Sequence, residues 1–174
     1  MEFIRGKTVT FSGYRPHKFD FPLSQDNAMY EKLTKAGFQA IIKAMELGYE
    51  NFLLGGAPGF DILCMELISL ARKLTQQDNK LICALPYGDF RNSSYFTDEW
   101  RTRYDAAINS CDHIFNVTGN EHETRGCFQR RNEFMVDNSD MLICYHTGKP
   151  GGTANTISYA KTKGSIIVNI AALL

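Results

Sequence analysis

No apolar run in this chain approaches the roughly 18 residues needed to cross a bilayer. The first residues, Met1 to Gly6, hold neither an apolar core nor a small-residue cleavage site, so no secretory signal peptide and no membrane anchorage are expected. An excess of either charge is also missing, since nineteen basic residues balance nineteen acidic ones. That removes the basic surplus typical of a whole-chain nucleic-acid binder and argues against nucleic acid as a partner, while leaving room for a local basic patch. The five cysteines, Cys64, Cys83, Cys111, Cys127 and Cys144, contain no Cys-x-x-Cys pair, and their odd number fits no disulfide framework. They sit mostly among apolar neighbours and read as small core hydrophobes in a reducing cytoplasm. The four histidines, His17, His113, His122 and His146, show no ligand spacing, so no metal is expected. Gly-x-Ser-x-Gly is absent, as are the P-loop and Gly-x-Gly-x-x-Gly spacings. Repeats, low-complexity tracts and linkers are lacking as well, so residues 1–174 read as one domain.

What is present is an alternation. Six short apolar runs, Thr8–Phe11, Phe52–Leu54, Leu81–Leu85, His113–Val117, Met141–Tyr145 and Ile166–Ile170, are separated by segments of helical period. Leu33, Gly37, Ala40, Ile41 and Ala44 mark the first helix, with N-cap candidates at Ser24 to Asp26 and a stop at Gly48. Phe60, Leu63, Cys64, Leu67, Ala71 and Leu74 line the second. Trp100, Tyr104, Ala107 and Ile108 share one side of a third, and Phe128, Met135 and Val136 face inward from a fourth. A short helix runs through Ala160. Near-continuous apolar strands are what a sheet covered on both faces requires. The expectation is an α/β, Rossmann-like three-layer sandwich with a mostly parallel central sheet and right-handed crossovers.

Ligands of such a fold sit outside the carboxyl ends of the strands, where strand order reverses. Three loops there draw attention. In Ser12-Gly13-Tyr14-Arg15-Pro16-His17, Gly13 allows close approach and Arg15 can fork onto a phosphate; the plain reading is a turn with an exposed Arg. In Gly55-Gly56-Ala57-Pro58-Gly59-Phe60-Asp61, glycines free backbone N–H groups at a helix start, which suits an anion. Asp61 in the first helical turn either complements the helix dipole or holds a ribose hydroxyl. Pro150-Gly151-Gly152-Thr153-Ala154-Asn155 repeats the strand-to-helix pattern, and two such turns favour a phosphate pocket. Thr153 and Asn155 add side-chain donors. On the fourth helix Asn132 shares the apolar face and is either a structural bond or a ligand contact, whereas Arg131 lies at its edge and by position reads as a surface charge. Trp100 and Tyr104, one turn apart, read as core, with stacking on a base as the alternative.

Taken together, Phe11 to His17, the Gly55-Gly56-Ala57-x-Gly59-x-Asp61 turn, Arg131-Asn132-x-Phe134-Met135-Val136-Asp137 with Ser139-Asp140, and Lys149 to Thr156 resemble the YpsA-like family of the SLOG superfamily of Rossmann-like proteins. The resemblance spans nearly the whole chain with motifs in order. It implies binding of a nucleotide or nucleotide derivative at the two glycine-rich turns, and it makes a homo-oligomer reasonable. Superfamily relatives include the lonely-guy phosphoribohydrolases, which cleave an N-glycosidic bond with an Arg and a Glu, and the DNA-processing protein DprA. Arg131 matches that Arg and is the candidate catalytic residue of a hydrolase, but Ser158 stands where the Glu belongs, and Ser has neither the charge nor the pKa for the role. An enzyme would need Asp61, Asp140 or Glu133 instead. The expected function is therefore binding of a small-molecule nucleotide of the AMP, ADP-ribose or NAD kind by a sensor or regulatory protein. A nucleoside-monophosphate hydrolase is the alternative, and a single-stranded DNA module, which the zero net charge argues against, comes last.

Overall fold

The computed structural model describes residues 7–174; the N-terminal stretch discussed above, 1–6, lies outside the described residues. Strands β1 (Thr8–Ser12), β2 (Asn51–Leu54), β3 (Lys80–Leu85), β4 (His113–Asn116), β5 (Met141–Cys144) and β6 (Ile166–Asn169) alternate with helices α1 (Ala28–Glu46), α2 (Phe60–Thr75), α3 (Asp98–Ile108), α4 (Cys127–Asp137) and α5 (Gly152–Thr162). The strands form one sheet in the order β4-β3-β2-β1-β5-β6, and every neighbouring pair is parallel. The chain winds outward from β1 to β4, then returns through α4 to place β5 on the other side of β1. Strand order thus reverses between β1 and β5, whose register pairs Val9 with Met141 and Ser12 with Cys144.

Period-two alternation divides the strand side chains between two apolar layers. Val9, Phe11, Phe52, Leu54, Leu81, Cys83 and Leu85 join the main core beneath α1, α2 and α3. Leu53, Ile82 and Ala84 meet Met135 of α4 on the opposite face, where Leu142 and Cys144 meet Val136 and Ala160. Thr10 faces that second layer fully buried, and its hydroxyl donates to the Leu53 carbonyl at 3.0 Å, which removes the cost of a bare buried hydroxyl.

Three sequence expectations need correction. The cap of α1 is Asn27, one residue beyond the expected stretch: its side chain accepts from the N–H groups of Met29 and Tyr30 at 3.0 and 3.2 Å. Leu74, placed on the buried face of α2, is 67% exposed in the last turn of the helix, beyond Ala71, the last buried residue of that face. The outer strands are not covered on both faces: Ile114 on β4 and Ile166 on β6 are more than half exposed. Both β4 and β6 are edge strands of the sheet, each paired on one side only.

Candidate functional site

A cavity of about 310 Å³ opens at the carboxyl ends of the strands, over the β1–β5 reversal. Its floor is the end of β1, from Phe11 to Gly13. Its walls come from the loop after β1 (Tyr14, Arg15, His17, Lys18), the start of α2 (Ala57, Asp61), α4 (Phe128, Arg131, Asn132), the start of α5 (Gly152, Thr153) and Tyr95 from the loop before α3. A larger cavity of about 610 Å³ adjoins it between α4 and α5, and Phe128, Asn132 and Gly152 border both.

Bonds to the distant loop after β5 fix the loop over β1. The Tyr14 hydroxyl accepts from the N–H groups of Thr147 and Lys149 at 2.9 and 3.1 Å, tying this loop to the one after β5. These bonds, with the Lys149 charge, outweigh burial and lower the Tyr14 pKa. Lys149 also meets the Asp20 carboxylate at 2.5 Å, and Lys18 donates to the Pro150 carbonyl at 3.0 Å. Thr153 closes the ring by donating to the Gly13 carbonyl at 3.0 Å. Four short bridges therefore hold the rim in one arrangement without a ligand.

The two glycine-rich turns do different jobs. Gly55, Gly56 and Gly59 are buried and do not border the cavity. No side chain fits at Gly55, because the Arg131 guanidinium and the Asp61 carboxylate occupy the space a Cβ would take. Protein acceptors take up most of the start of α2: the Phe60 N–H donates to the Tyr14 carbonyl at 3.1 Å and the Ile62 N–H to the Ala57 carbonyl at 3.3 Å, while the Ala57 N–H before it donates to Asp61 at 3.4 Å. At α5 the situation is reversed. Gly151 at the N-cap has φ +133° and provides no side-chain cap. The N–H groups of Gly152, Thr153 and Ala154 have no acceptor among the described residues. Three free donors at the positive end of an eleven-residue helix are the arrangement that holds an anion.

Arg131, read from its position as a surface charge, is 5% exposed. Its Nη1 donates to the Gly55 carbonyl and, at 3.5 Å, to that of Ala84, and its Nε donates to Asn132 at 2.8 Å. Nη2 carries no bond among the described residues, so two donors remain available at the cavity wall. Asn132 in turn donates to Thr156, whose hydroxyl donates to the Gly152 carbonyl, so the orienting network reaches the start of α5. Burial pushes the Asp61 carboxyl up; the Arg131 charge and the N–H groups of Ala57 and Gly55 work against that without reversing it. Burial pushes the Arg131 pKa down, opposed by Asp61. The two groups are a buried, mutually compensating pair in the cavity wall.

Arg15 is the least committed cation here. Its guanidinium makes no hydrogen bond and no ion pair among the described residues. It lies 3.8 Å from the centre of the Tyr95 ring and 5.0 Å from that of Phe128. Asn155 is exposed and borders only the larger cavity. Trp100 and Tyr104 stay away from both cavities: they are buried in the main core, Trp100 under the Arg103 guanidinium at 4.2 Å and Tyr104 against Phe96 at 5.2 Å. Lys18, His17 and Tyr95 are wall residues that the sequence reading missed. Tyr95 lies in an aperiodic polar loop that offers no signal, whereas Lys18 sits three residues after Arg15 and could have been suspected from that spacing.

The acids needed for hydrolysis are scattered. Asp61 is buried, and Ser158 is exposed on the larger cavity together with Glu133, which accepts from Gln129 at 2.8 Å. Asp140 precedes β5, at the amino end of the sheet, and so cannot reach a substrate at the carboxyl ends. No group of three or more His, Cys, Asp or Glu side chains suited to a metal ion occurs among the described residues. No described helix is long and apolar enough to cross a membrane.

An open parallel sheet with a donor-lined cavity at its order reversal defines a Rossmann-like α/β protein. More narrowly, the chain belongs to the YspA SLOG family, whose model matches residues 9–166. It is 25% identical over 161 residues to a UPF0398 protein of Bacillus cereus, covering 92% of this chain and 85% of that protein. A UPF0398 protein of Halalkalibacterium halodurans is also 25% identical, over 158 residues, covering 90% of this chain and 82% of its own length. Among solved structures the fold matches DNA processing protein A of Helicobacter pylori, described for its single-stranded DNA binding mode, with TM-score 0.57 at 17% identity. It also matches DNA processing protein A of Streptococcus pneumoniae, with TM-score 0.56 at 16% identity. The match covers 92% of this chain in both cases but only 63% and 49% of those larger proteins. At such identities the likeness establishes the shared fold.

Proposed function

We propose that this protein binds a nucleotide or nucleotide derivative of the AMP, ADP-ribose or NAD class, with a phosphate at the start of α5, and acts as a sensor or regulator without hydrolysing it. The observation that carries this reading is the convergence on one cavity of the start of α5, where Gly152 and Thr153 line the wall with unpaired N–H groups, the uncommitted Arg15 and the buried Arg131. A phosphate needs several donors and positive charge, and here both are held in place by bonds that need no ligand. The absence of catalysis is inferred from the acids: Asp61, in the wall, is engaged by the Ala57 N–H and the Arg131 charge, Asp140 is at the other end of the sheet, and Ser158 has no charge.

Thermal unfolding against AMP, ADP-ribose, NAD and ribose 5-phosphate tests the binding. A ligand at about 100 times its dissociation constant adds roughly 2.7 kcal/mol. For a domain of this size that raises Tm by about 5–10 °C. A shift of that order with a member of the panel supports the reading, and a flat panel sinks it. Release of free base from nucleoside monophosphates above the level of a Glu133→Gln variant would refute the non-catalytic part.

A second reading is favoured by the solved neighbours, one of which was described binding single-stranded DNA. The same donors could take a phosphate of a DNA strand. Zero net charge tells against an extended strand, whose affinity depends on many phosphate contacts. A short oligonucleotide whose affinity falls steeply with salt, and which AMP displaces, would move the reading to DNA; tight AMP binding with no oligonucleotide binding keeps it on the small molecule.

A further inference from the structure

We infer that the exposed ring of Tyr95, cornered by Phe128, is the platform on which the base of the bound nucleotide stacks, and that Arg15 occupies that platform until a phosphate draws it away. The inference rests on the nucleotide reading above and adds the part of the ligand that the phosphate donors do not recognise. Tyr95 and Phe128 both border the phosphate cavity, and their rings meet edge to face, 5.5 Å apart at 83°. Two rings at right angles make a corner: one face is offered for stacking, and the second ring limits how far a flat group can slide. Tyr95 is 37% exposed, and the Arg15 guanidinium carbon already lies over its ring, 3.8 Å from the centre.

The corner is rigid. The Tyr95 hydroxyl donates to Glu123 at 3.4 Å, and Tyr87 donates to the other oxygen of the same carboxylate at 3.4 Å. Phe128 packs against Tyr87 and Phe90 behind it, at 6.1 and 5.8 Å. Arg15, by contrast, is held only by ring faces. A phosphate offers a guanidinium charge-assisted, bidentate bonds that a ring face cannot match. Its arrival at α5 therefore moves Arg15 off Tyr95 and frees the ring for the base. Stacking alone reads no base edge, so the platform separates nucleotides from sugar phosphates and tolerates different bases.

The experiment compares AMP with ribose 5-phosphate by calorimetry on the wild-type chain, Tyr95→Ala and Tyr95→Trp. In the wild type AMP should bind at least about 10-fold more tightly than ribose 5-phosphate, in line with one stacked base. Tyr95→Ala should lose that margin on the AMP side only; its affinity for ribose 5-phosphate should hold or rise, because Arg15 no longer has a ring to leave. Tyr95→Trp should keep the margin, and AMP, but not ribose 5-phosphate, should quench the new indole emission. Equal wild-type affinities for the two ligands overturn this inference while leaving the phosphate site intact, as does an equal loss of both ligands in Tyr95→Ala with the margin also gone from Tyr95→Trp. Failure of both ligands to bind the wild type overturns this inference, and failure of ADP-ribose and NAD as well overturns the nucleotide reading with it.

Discussion

Arg131 shows how burial changes the meaning of a residue. The carboxylate that compensates it, Asp61, stands 70 positions earlier in the chain, and the carbonyls Arg131 holds belong to Gly55 and Ala84. Removing one member of a buried compensating pair strands the other, so Arg131→Ala should lose about 3–5 kcal/mol in denaturant unfolding. Asp61 adds a pH dependence. Its folded pKa is raised, so between the ordinary carboxylate value and the raised one the folded chain holds a proton that the unfolded chain has lost. Stability from this group therefore falls as pH rises through that window. The Tm of Asp61→Asn relative to wild type should climb across the same window, and a constant difference would contradict the assignment. Gly13 carries a packing constraint: an added Cβ would collide with the Phe60 ring, so Gly13→Ala should cost about 1–3 kcal/mol by the same unfolding measurement. Burial also sorts the thiols. Cys144 is pushed up to about 12, and Cys64 and Cys83 are held well above the usual range, which leaves a thiolate fraction at pH 8 of about 10⁻⁴ for Cys144. Cys111, the one cysteine not fully buried, should give the fast phase with a disulfide reagent, and Cys111→Ser should abolish it.

At the scale of elements, the starts of three helices carry different loads. Asn27 caps α1 with two bonds, and Asn27→Ala should cost about 1 kcal/mol with no effect on ligand binding. The start of α2 is tied up by the Tyr14 and Ala57 carbonyls, whereas that of α5 is left open beside the cavity. In sequence α2 and α5 look alike, each a strand end followed by glycines. What distinguishes them is the loop after β1, which crosses α2 and satisfies it. Similarly, the helical period of Trp100 and Tyr104 identified a buried face correctly in kind, and that of Phe128 an inward side chain, while Tyr95, the other aromatic at the cavity, lies in a loop where periodicity says little.

For the whole molecule, the sheet is deepest at β1, β2, β3 and β5 and thinnest at β4 and β6. Native-state hydrogen exchange should accordingly show the slowest amides in the central strands, with β4 and β6 opening at lower free energy. Equal protection across all six would mean that the edges are covered in solution. The sequence by itself determined the alternation of strands and helices, the parallel α/β class, the family and the loops at which a ligand site had to be sought. Each of these is written in local periods, glycine positions and motif order, which need only neighbours along the chain. Tertiary structure alone decided that Arg131 is buried, that one glycine-rich turn supports the pocket while the other opens on it, and that Tyr95 and Phe128 meet edge to face at the cavity. Those outcomes depend on which distant segment covers which donor, and burial and hydrogen-bond satisfaction are settled only when the layers close.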